Sequence, residues 1–458
     1  MPYGRTFICR PIFSFCKCTP LGHPIGRPCR VTLLTGFIFN HNVTTNKEDT
    51  NMKKGSWVLI FLTAVLCFSL IMISPVHAAK TLKIGLVDAY TGPASTYTND
   101  VRDAFQMAVD KINSQGGILG RQIEVVTRDT KFKVDVGLAA AKELVMREDV
   151  DLLAGTISSA VTLAVSDLAK KEKLPFFVTF SKSSKITGEM GHRYIFQVSE
   201  NTAMVGKAAA VGLAKKPWMN YWIAGDDYEY GHAIGDDVWA NLQKTKPGVN
   251  LVGQTWWKIG EPDFTPYITA IISAHPDAMI LCTGGASNIP FLKAAKATDL
   301  AEKVPFYLHT VTELATIRPL GLDAPEGLLG TSNYLFYYPE TPENEAFVGE
   351  FRKAYNRYPT VGALYGYLAS QFIFDGYRKA GAIDKEKLID AVEGMTVDSP
   401  VGKVTMRAYD HQAMLPMFMG TTKKVPQYDF LISVDNITIP AEELMPTIEE
   451  VKKAREGK

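Results

Sequence analysis

From Leu82 onward the apolar positions switch between two spacings. Leu82-Lys-Ile-Gly-Leu-Val-Asp88 is a short, mostly apolar run of strand type. Asn99 and Asp100 then offer an N-cap. Beyond them, Val101, Ala104, Phe105, Ala108, Val109 and Ile112 form the stripe of a helix with one buried face. Gly116-Gly117 stops that helix, and 121–126 resumes as a strand. The segment therefore predicts a βαβ unit, with no glycine loop suited to phosphates.

The alternation continues. Residues 150–155, 174–180 and 193–198 read as strands and 159–171 as a helix, which closes a first set near Glu200. A second set follows, with helices over 201–214 and 230–242 and strands over 220–225, 251–258, 278–282 and 304–309. Asp263 just ahead of Pro266 predicts one more helix start there. Residues 327–338 are extended and aromatic, and 343–355, 361–380 and 385–393 are helical. Residues 401–406 and 414–419 look like a hairpin around Asp410-His411, and the charged tail from Pro440 is expected on the surface. Strands alternating with helices argue for an α/β fold with parallel sheets covered on both faces.

A different pattern precedes this. Met52-Lys53-Lys54 is a positive start, 57–73 is continuously apolar, and Val76 and Ala78 occupy the small-residue positions of a cleavage site. Residues 52–79 thus read as a secretory signal cleaved after about Ala78, which directs the chain to the periplasm. Residues 1–51 do not fit ahead of a signal; the expectation is that they are not part of the native chain, or are disordered, and that translation starts at Met52. Cys16, Cys18 and Cys29 in that segment do not have the spacing of a usual zinc knot. About 380 residues remain after cleavage, too many for one ordinary core and suited to two domains. The formal charge of +1 gives no reason to expect a nucleic-acid partner. Beyond the signal only Cys282 remains, so no internal disulfide is expected.

Candidate chemistry comes from position. In open α/β sheets, ligands bind beyond the carboxyl ends of the strands. That rule picks 88–91, 156–159 and 180–183 in the first half, and 226–230, 283–287 and 309–312 in the second. The sequence has no phosphate-binding, dinucleotide, zinc-protease or nucleophile-elbow motif, and its histidines are scattered, so an enzyme, a cofactor and a metal are not expected. His309, at a strand end, is the one histidine placed to touch a ligand. Asp226, Asp227 and His232 read better as a solvated helix start than as a metal site.

The run Lys83-Ile-Gly-Leu-Val, Thr91-Gly-Pro, Tyr97, Ala104, Ala108, Ile112-Asn113, Gly116-Gly117-Ile118, Gly120, Ile123-Glu124 and Asp129 resembles the type I periplasmic binding proteins. More narrowly it is similar to the branched-chain amino-acid-binding (leucine/isoleucine/valine-binding protein-like) family of ABC importers. Gly155-Thr-Ile-Ser158-Ser159, Asp226-Asp-Tyr-Glu-Tyr230-Gly231, Asp263-Phe264-Thr265 and Pro325-Glu326-Gly327 continue the likeness in order, over nearly all of the chain from 80 on. The resemblance implies two Rossmann-like lobes joined by three hinge crossovers, near Glu200, Thr331 and Thr396. Lobe 1 would be 80–200 plus 332–395, and lobe 2 would be 201–331 plus 396–458.

By the same resemblance Ser159 matches a serine that holds a ligand carboxylate, and Tyr97 and Tyr230 match tyrosines on opposing walls. A hydroxyl and free amides at a helix N-terminus suit an anion; the bland alternative is that Ser159 only caps its helix. Ungapped counting puts Lys182 where the family has a threonine, while one residue of slippage puts Ser181 or Ser183 there. The family's ammonium-binding acid falls near Val311, with Glu313 close but out of register, and a second far-lobe tyrosine falls near Ala286. The implied site is therefore Tyr97, Ser158, Ser159, Phe180, Ser181, Lys182, Tyr230, His309 and Thr310. It would capture an amino acid or related small organic carboxylate by hinge closure, and a monomer would deliver it to the permease subunits of an ABC importer in the membrane. The alternative is a ligand-binding sensor module working with a separate receptor.

Overall fold

The computed structural model describes residues 81–92 and 94–456. The signal segment 52–79 and residues 1–51 lie outside the described residues.

Two sheets organise the chain. Leu82–Asp88 (β1), Ile123–Asp129 (β2), Leu152–Gly155 (β3), Phe176–Val178 (β4) and Ile195–Gln197 (β5) form an all-parallel sheet in the order β2-β1-β3-β4-β5. Asn220–Asp226 (β6), Asn250–Trp257 (β7), Ala278–Cys282 (β8), Phe306–Leu308 (β9) and Leu329–Ser332 (β10) are the parallel part of the other sheet. After Thr396–Ser399 (β11), Gly402–Met406 (β12) and Ala413–Met414 (β13), the chain adds Met417–Lys423 (β14) and Ile432–Ile439 (β15) antiparallel at its edge. That sheet runs β15-β14-β10-β9-β8-β6-β7.

The central strands show why they are central. All five residues of β8 and all but one of the seven in β1 are buried, as a strand covered by helices on both faces requires. The edge strand β7 alternates exposed and half-buried residues instead. A continuous apolar core joins residues of both sheets, and a second cluster around Val87, Leu153, Val165 and Phe176 covers the other face of the first sheet.

The helix predicted to start after Asn99 begins earlier, at Ser95. Tyr97 is buried and extends the Val101–Phe105 stripe by one turn. Asp100 is unavailable as a cap because Arg357 Nε and Thr360 N–H both donate to it, at 3.0 Å each. The helix Val361–Ala380 matches its predicted bounds, capped by the Thr360 hydroxyl and stopped at Gly381. It lies so close to Ser95–Ser114 that a Cβ at Gly366 would fall 2.1 Å from the Val101 carbonyl.

Three other expectations change. The helix predicted at Asp263 starts at Thr265, and the Asp263 carboxylate accepts from Thr265 N–H at 2.9 Å. The predicted hairpin around Asp410-His411 exists as β12 paired with β13, but Met417 to Met419 belongs to the second sheet, so the chain changes sheets at Leu415-Pro416. The tail from 440 packs rather than lying free, with Ala441, Leu444, Met445 and Val451 buried. Its last helix, Ile448–Glu456, is gripped from two sides. Glu450 pairs with Lys207 (3.7 Å) and Lys244 (3.8 Å), while Arg455 donates to the Thr187 and Gly188 carbonyls (2.9 and 3.1 Å).

Candidate functional site

The C-terminal ends of the two sheets face one another across a cavity of about 320 Å³. From the first sheet's side come Ala94 and Tyr97, then Lys131 to Lys133 past β2, Ile157 past β3, and Phe180 and Lys182 past β4. From the second come Asp226, Tyr228 and Tyr230 past β6, Ile259 past β7, Gly284, Gly285 and Ser287 past β8, and Thr310 past β9.

The loops that carry these groups are locally constrained. After β3, Gly155 (φ +122°) and Thr156 (φ +69°) both take the left-handed region that favours glycine. A Cβ at Gly155 would fall 2.4 Å from the Val87 carbonyl. The resulting turn lets the Thr156 carbonyl accept from the amides of Phe180 and Ser181 (3.3 and 3.0 Å), which fixes the β4 loop beside it. Two residues past Thr156, Ser158 caps the helix Ser159–Glu172.

Five aromatic rings supply the apolar body of the cavity. Phe180 meets Tyr97 edge-on with centroids 5.1 Å apart, Tyr228 and Tyr230 lie 5.9 Å apart, and Phe132 stands 6.0 Å from Tyr228 across the two sides. The Tyr230 hydroxyl is buried without a hydrogen-bond partner.

The charged end centres on Lys182, whose side chain is 4 % exposed. Its Nζ lies 2.5 Å from Glu200 Oε1, 3.1 Å from His309 Nε2 and 3.7 Å from Glu313 Oε1, and 5.1 Å above the Phe180 ring. His309 Nε2 is 2.8 Å from Glu200, and its Nδ1 is 2.7 Å from the Thr331 hydroxyl. The Tyr365 hydroxyl donates to the other Glu200 oxygen. Burial opposes the Glu200 charge, but Lys182 and His309 outweigh it and hold the carboxyl down at about 2. Burial drives His309 down to about 4, helped by Lys182, so its ring is neutral. Glu313 is pushed up to about 7 by burial, and neither of its oxygens has a hydrogen-bond partner.

Of the residues singled out from sequence, Tyr97, Phe180, Lys182, Tyr230 and Thr310 line the cavity. Ser158, Ser159, Ser181 and His309 are buried and engaged behind that lining. The Ser158 hydroxyl accepts from Val161 N–H at 3.5 Å, and Ser159 Oγ accepts from Ser183 N–H at 3.3 Å. Ser181 Oγ bonds Thr162 and donates to the Thr156 carbonyl at 3.1 Å. Asp226, Tyr228, Ile157 and the 284–287 loop lie in segments the strand-end rule had picked. Residues 131–133 and Ile259 were missed, although they follow the edge strands β2 and β7, to which the same rule applies. Among the described residues no group of three His, Cys, Asp or Glu side chains is placed to hold a metal ion, and no helix is long and apolar enough to cross a membrane.

Comparisons bear on this geometry. A sequence profile described as periplasmic binding protein matches residues 81–426. The leucine-, isoleucine-, valine-, threonine- and alanine-binding protein of Pseudomonas aeruginosa is 27% identical over 366 residues, covering 77% of this chain and 92% of that one. The structure of an ABC-type branched-chain amino acid transporter from Rhodopseudomonas palustris CGA009 is similar with a TM-score of 0.64 and 28% identity, covering 80% of this chain and 99% of the other. A solute-binding protein of an ABC transporter from Rhodopseudomonas palustris HaA2, in complex with p-hydroxybenzoic acid, has a TM-score of 0.72 at 23% identity, covering 79% and 98%, which shows a shared fold.

Proposed function

Because the chain belongs to the periplasmic binding protein family, we propose that it captures an amino acid or related small organic carboxylate in the periplasm and hands it to an ABC permease. The observation that carries this reading is the cavity itself. Five aromatic side chains line it, and one buried ammonium, Lys182, stands at its charged end. An apolar or aromatic body fits the rings, and a carboxylate fits the lysine through a charge-assisted hydrogen bond. The relatives that bind amino acids and the neighbour that holds an aromatic acid agree with that chemistry.

In this reading the first lobe is 80–200 with 332–395 and the second is 201–331 with 396–458, hinged near Glu200, Thr331 and Thr396. Ligand closes the hinge by touching both. Tyr97, Phe180, Lys182, Tyr230 and Thr310 make contact, while Ser158, Ser159, Ser181 and His309 fix the loops that present them. Bonds between the two sides support closure as the holding state. The hydroxyls of Tyr97 and Thr316 lie 2.9 Å apart, and the Ser183 and Ser184 hydroxyls donate to Glu229 (2.9 Å) and Asp237 (3.0 Å).

A thermal-shift panel tests the proposal. A carboxylate present at about a hundred times its Kd should add about 2.7 kcal/mol of stability. Neutral sugars should add none; stabilisation by sugars alone refutes the reading. Uptake of the same solute by cells carrying the neighbouring permease, lost when this protein is deleted, tests delivery.

A further inference from the structure

An α-amino acid brings two opposite charges on one carbon. A site that buries it must therefore offer, side by side, donors for the carboxylate and an uncommitted acid for the ammonium. A buried ammonium left without a partner costs several kcal/mol.

Neither acid beside the charged end of this cavity, Glu200 or Glu313, is in its lining. Glu200 takes Lys182, His309 and Tyr365. Glu313 is fully buried, does not line the cavity, and has Lys182 as its nearest cation at 3.7 Å. Asp226 does line the cavity, but on the other sheet, where its oxygens accept from Trp257 Nε1 (2.9 Å) and Gly284 N–H (3.3 Å). The ammonium that an amino acid would bring to Glu200 and Glu313 is thus supplied by the protein. An ammonium has three N–H donors. The Lys182 ammonium pairs with Glu200 at 2.5 Å and still stands in the cavity lining, where an anion can meet it. Lys131 and Lys133 at the wall add positive charge against the single acid Asp226.

Resting on the carboxylate reading above, we infer that the solute is a carboxylic acid with an apolar or aromatic body and no α-ammonium group, and that Lys182 is the residue that enforces this choice. Lys182 does two things at once: it receives the carboxylate, and it fills the place where a second cation would have to sit.

Matched pairs that differ only by the ammonium group test this by titration calorimetry: 3-phenylpropanoate against phenylalanine, and 4-methylpentanoate against leucine. In the unaltered protein the acid should bind at least about tenfold more tightly than its amino acid in any pair that binds. An amino acid that binds as tightly as its acid, or more so, overturns the inference and leaves the broader carboxylate reading standing. Failure of both members of every pair overturns the two together. Lys182→Met should reduce the acid-to-amino-acid ratio by about tenfold or more, since it exposes Glu200 and Glu313 to a ligand ammonium. An unchanged ratio removes Lys182 as the determinant. Because an unpaired Glu200 can unfold that variant, Lys182→Met combined with Glu200→Gln carries the same test through Glu313.

Discussion

Asp88 and Asp226 occupy matching places in the two halves of the molecule. Each is the last residue of the first strand of its sheet, β1 or β6. Each accepts from an amide two residues past the end of the neighbouring strand: Ile157 N–H on Asp88 at 2.8 Å, and Gly284 N–H on Asp226 at 3.3 Å. Burial pushes both up, Asp88 to about 7 and Asp226 to about 6. The surroundings then diverge. Asp88 takes a second amide, from Ala89 at 2.8 Å, and stays behind the cavity wall with its other oxygen unpartnered. Asp226 takes the Trp257 indole and stands in the lining. One strand-end carboxyl therefore staples loops in both halves, and in one half it also stands in the lining of the cavity.

The largest test of that difference is the pH dependence of stability. An acid whose folded value is raised contributes stability that is complete below its ordinary value, near 4, and lost as pH rises through the raised one. For Asp88 the rise from 3.8 to about 7 amounts to about 4 kcal/mol. Asp88→Asn should remove most of the decline between pH 4 and 8, and Asp226→Asn a smaller part. Denaturant unfolding of variant minus parent isolates the effect from His309, whose depressed value makes acid destabilising in the same range. Equal slopes in Asp88→Asn and parent break the comparison.

Next comes the staple. Asp88→Ala strands the amides of Ala89 and Ile157 and should cost about 2–4 kcal/mol of unfolding free energy at pH 5. A smaller effect, confined to the other half, separates ligand from fold. With an acid that binds, Asp226→Asn should tighten affinity above pH 6 by severalfold, about 1 kcal/mol, because the lining loses its negative charge, while Asp88→Asn leaves affinity unmoved. Calorimetry at pH 5 and pH 8 decides it. Smallest is Trp257→Phe, which removes the indole donor and should cost about 0.5–1 kcal/mol in thermal unfolding.

Much of this was legible in the sequence, and the reasons are physical. β8 is apolar throughout and β1 mostly so because helices cover both faces, and the ends of such strands mark a rim where ligands bind in open α/β sheets. Asp226, Tyr230, Phe180 and Lys182 follow from that rule alone. The edges were harder. β15 carries Asp435-Asn436 in its middle and was missed, and β14 was joined to β13 because nothing in Met414 to Met419 reveals a change of sheet at Pro416. The tail from Pro440 reads as charged, although its few apolar residues are the ones that pack. The commitment of Lys182 was harder to reach: Glu200 lies 18 residues on, past the neighbouring strand β5 of the same sheet, and Glu313 lies 131 residues on, past β9 of the other sheet.

The helix Ile448–Glu456 sets a mechanical condition on all of this. It holds Lys207 and Lys244 through Glu450, and the 187–188 carbonyls through Arg455. Any swing that parts the 187–188 loop from the helix Thr202–Leu213 must first let go of one end. The chain's last turns are thus a leash between parts of the molecule that lie far from them along the sequence.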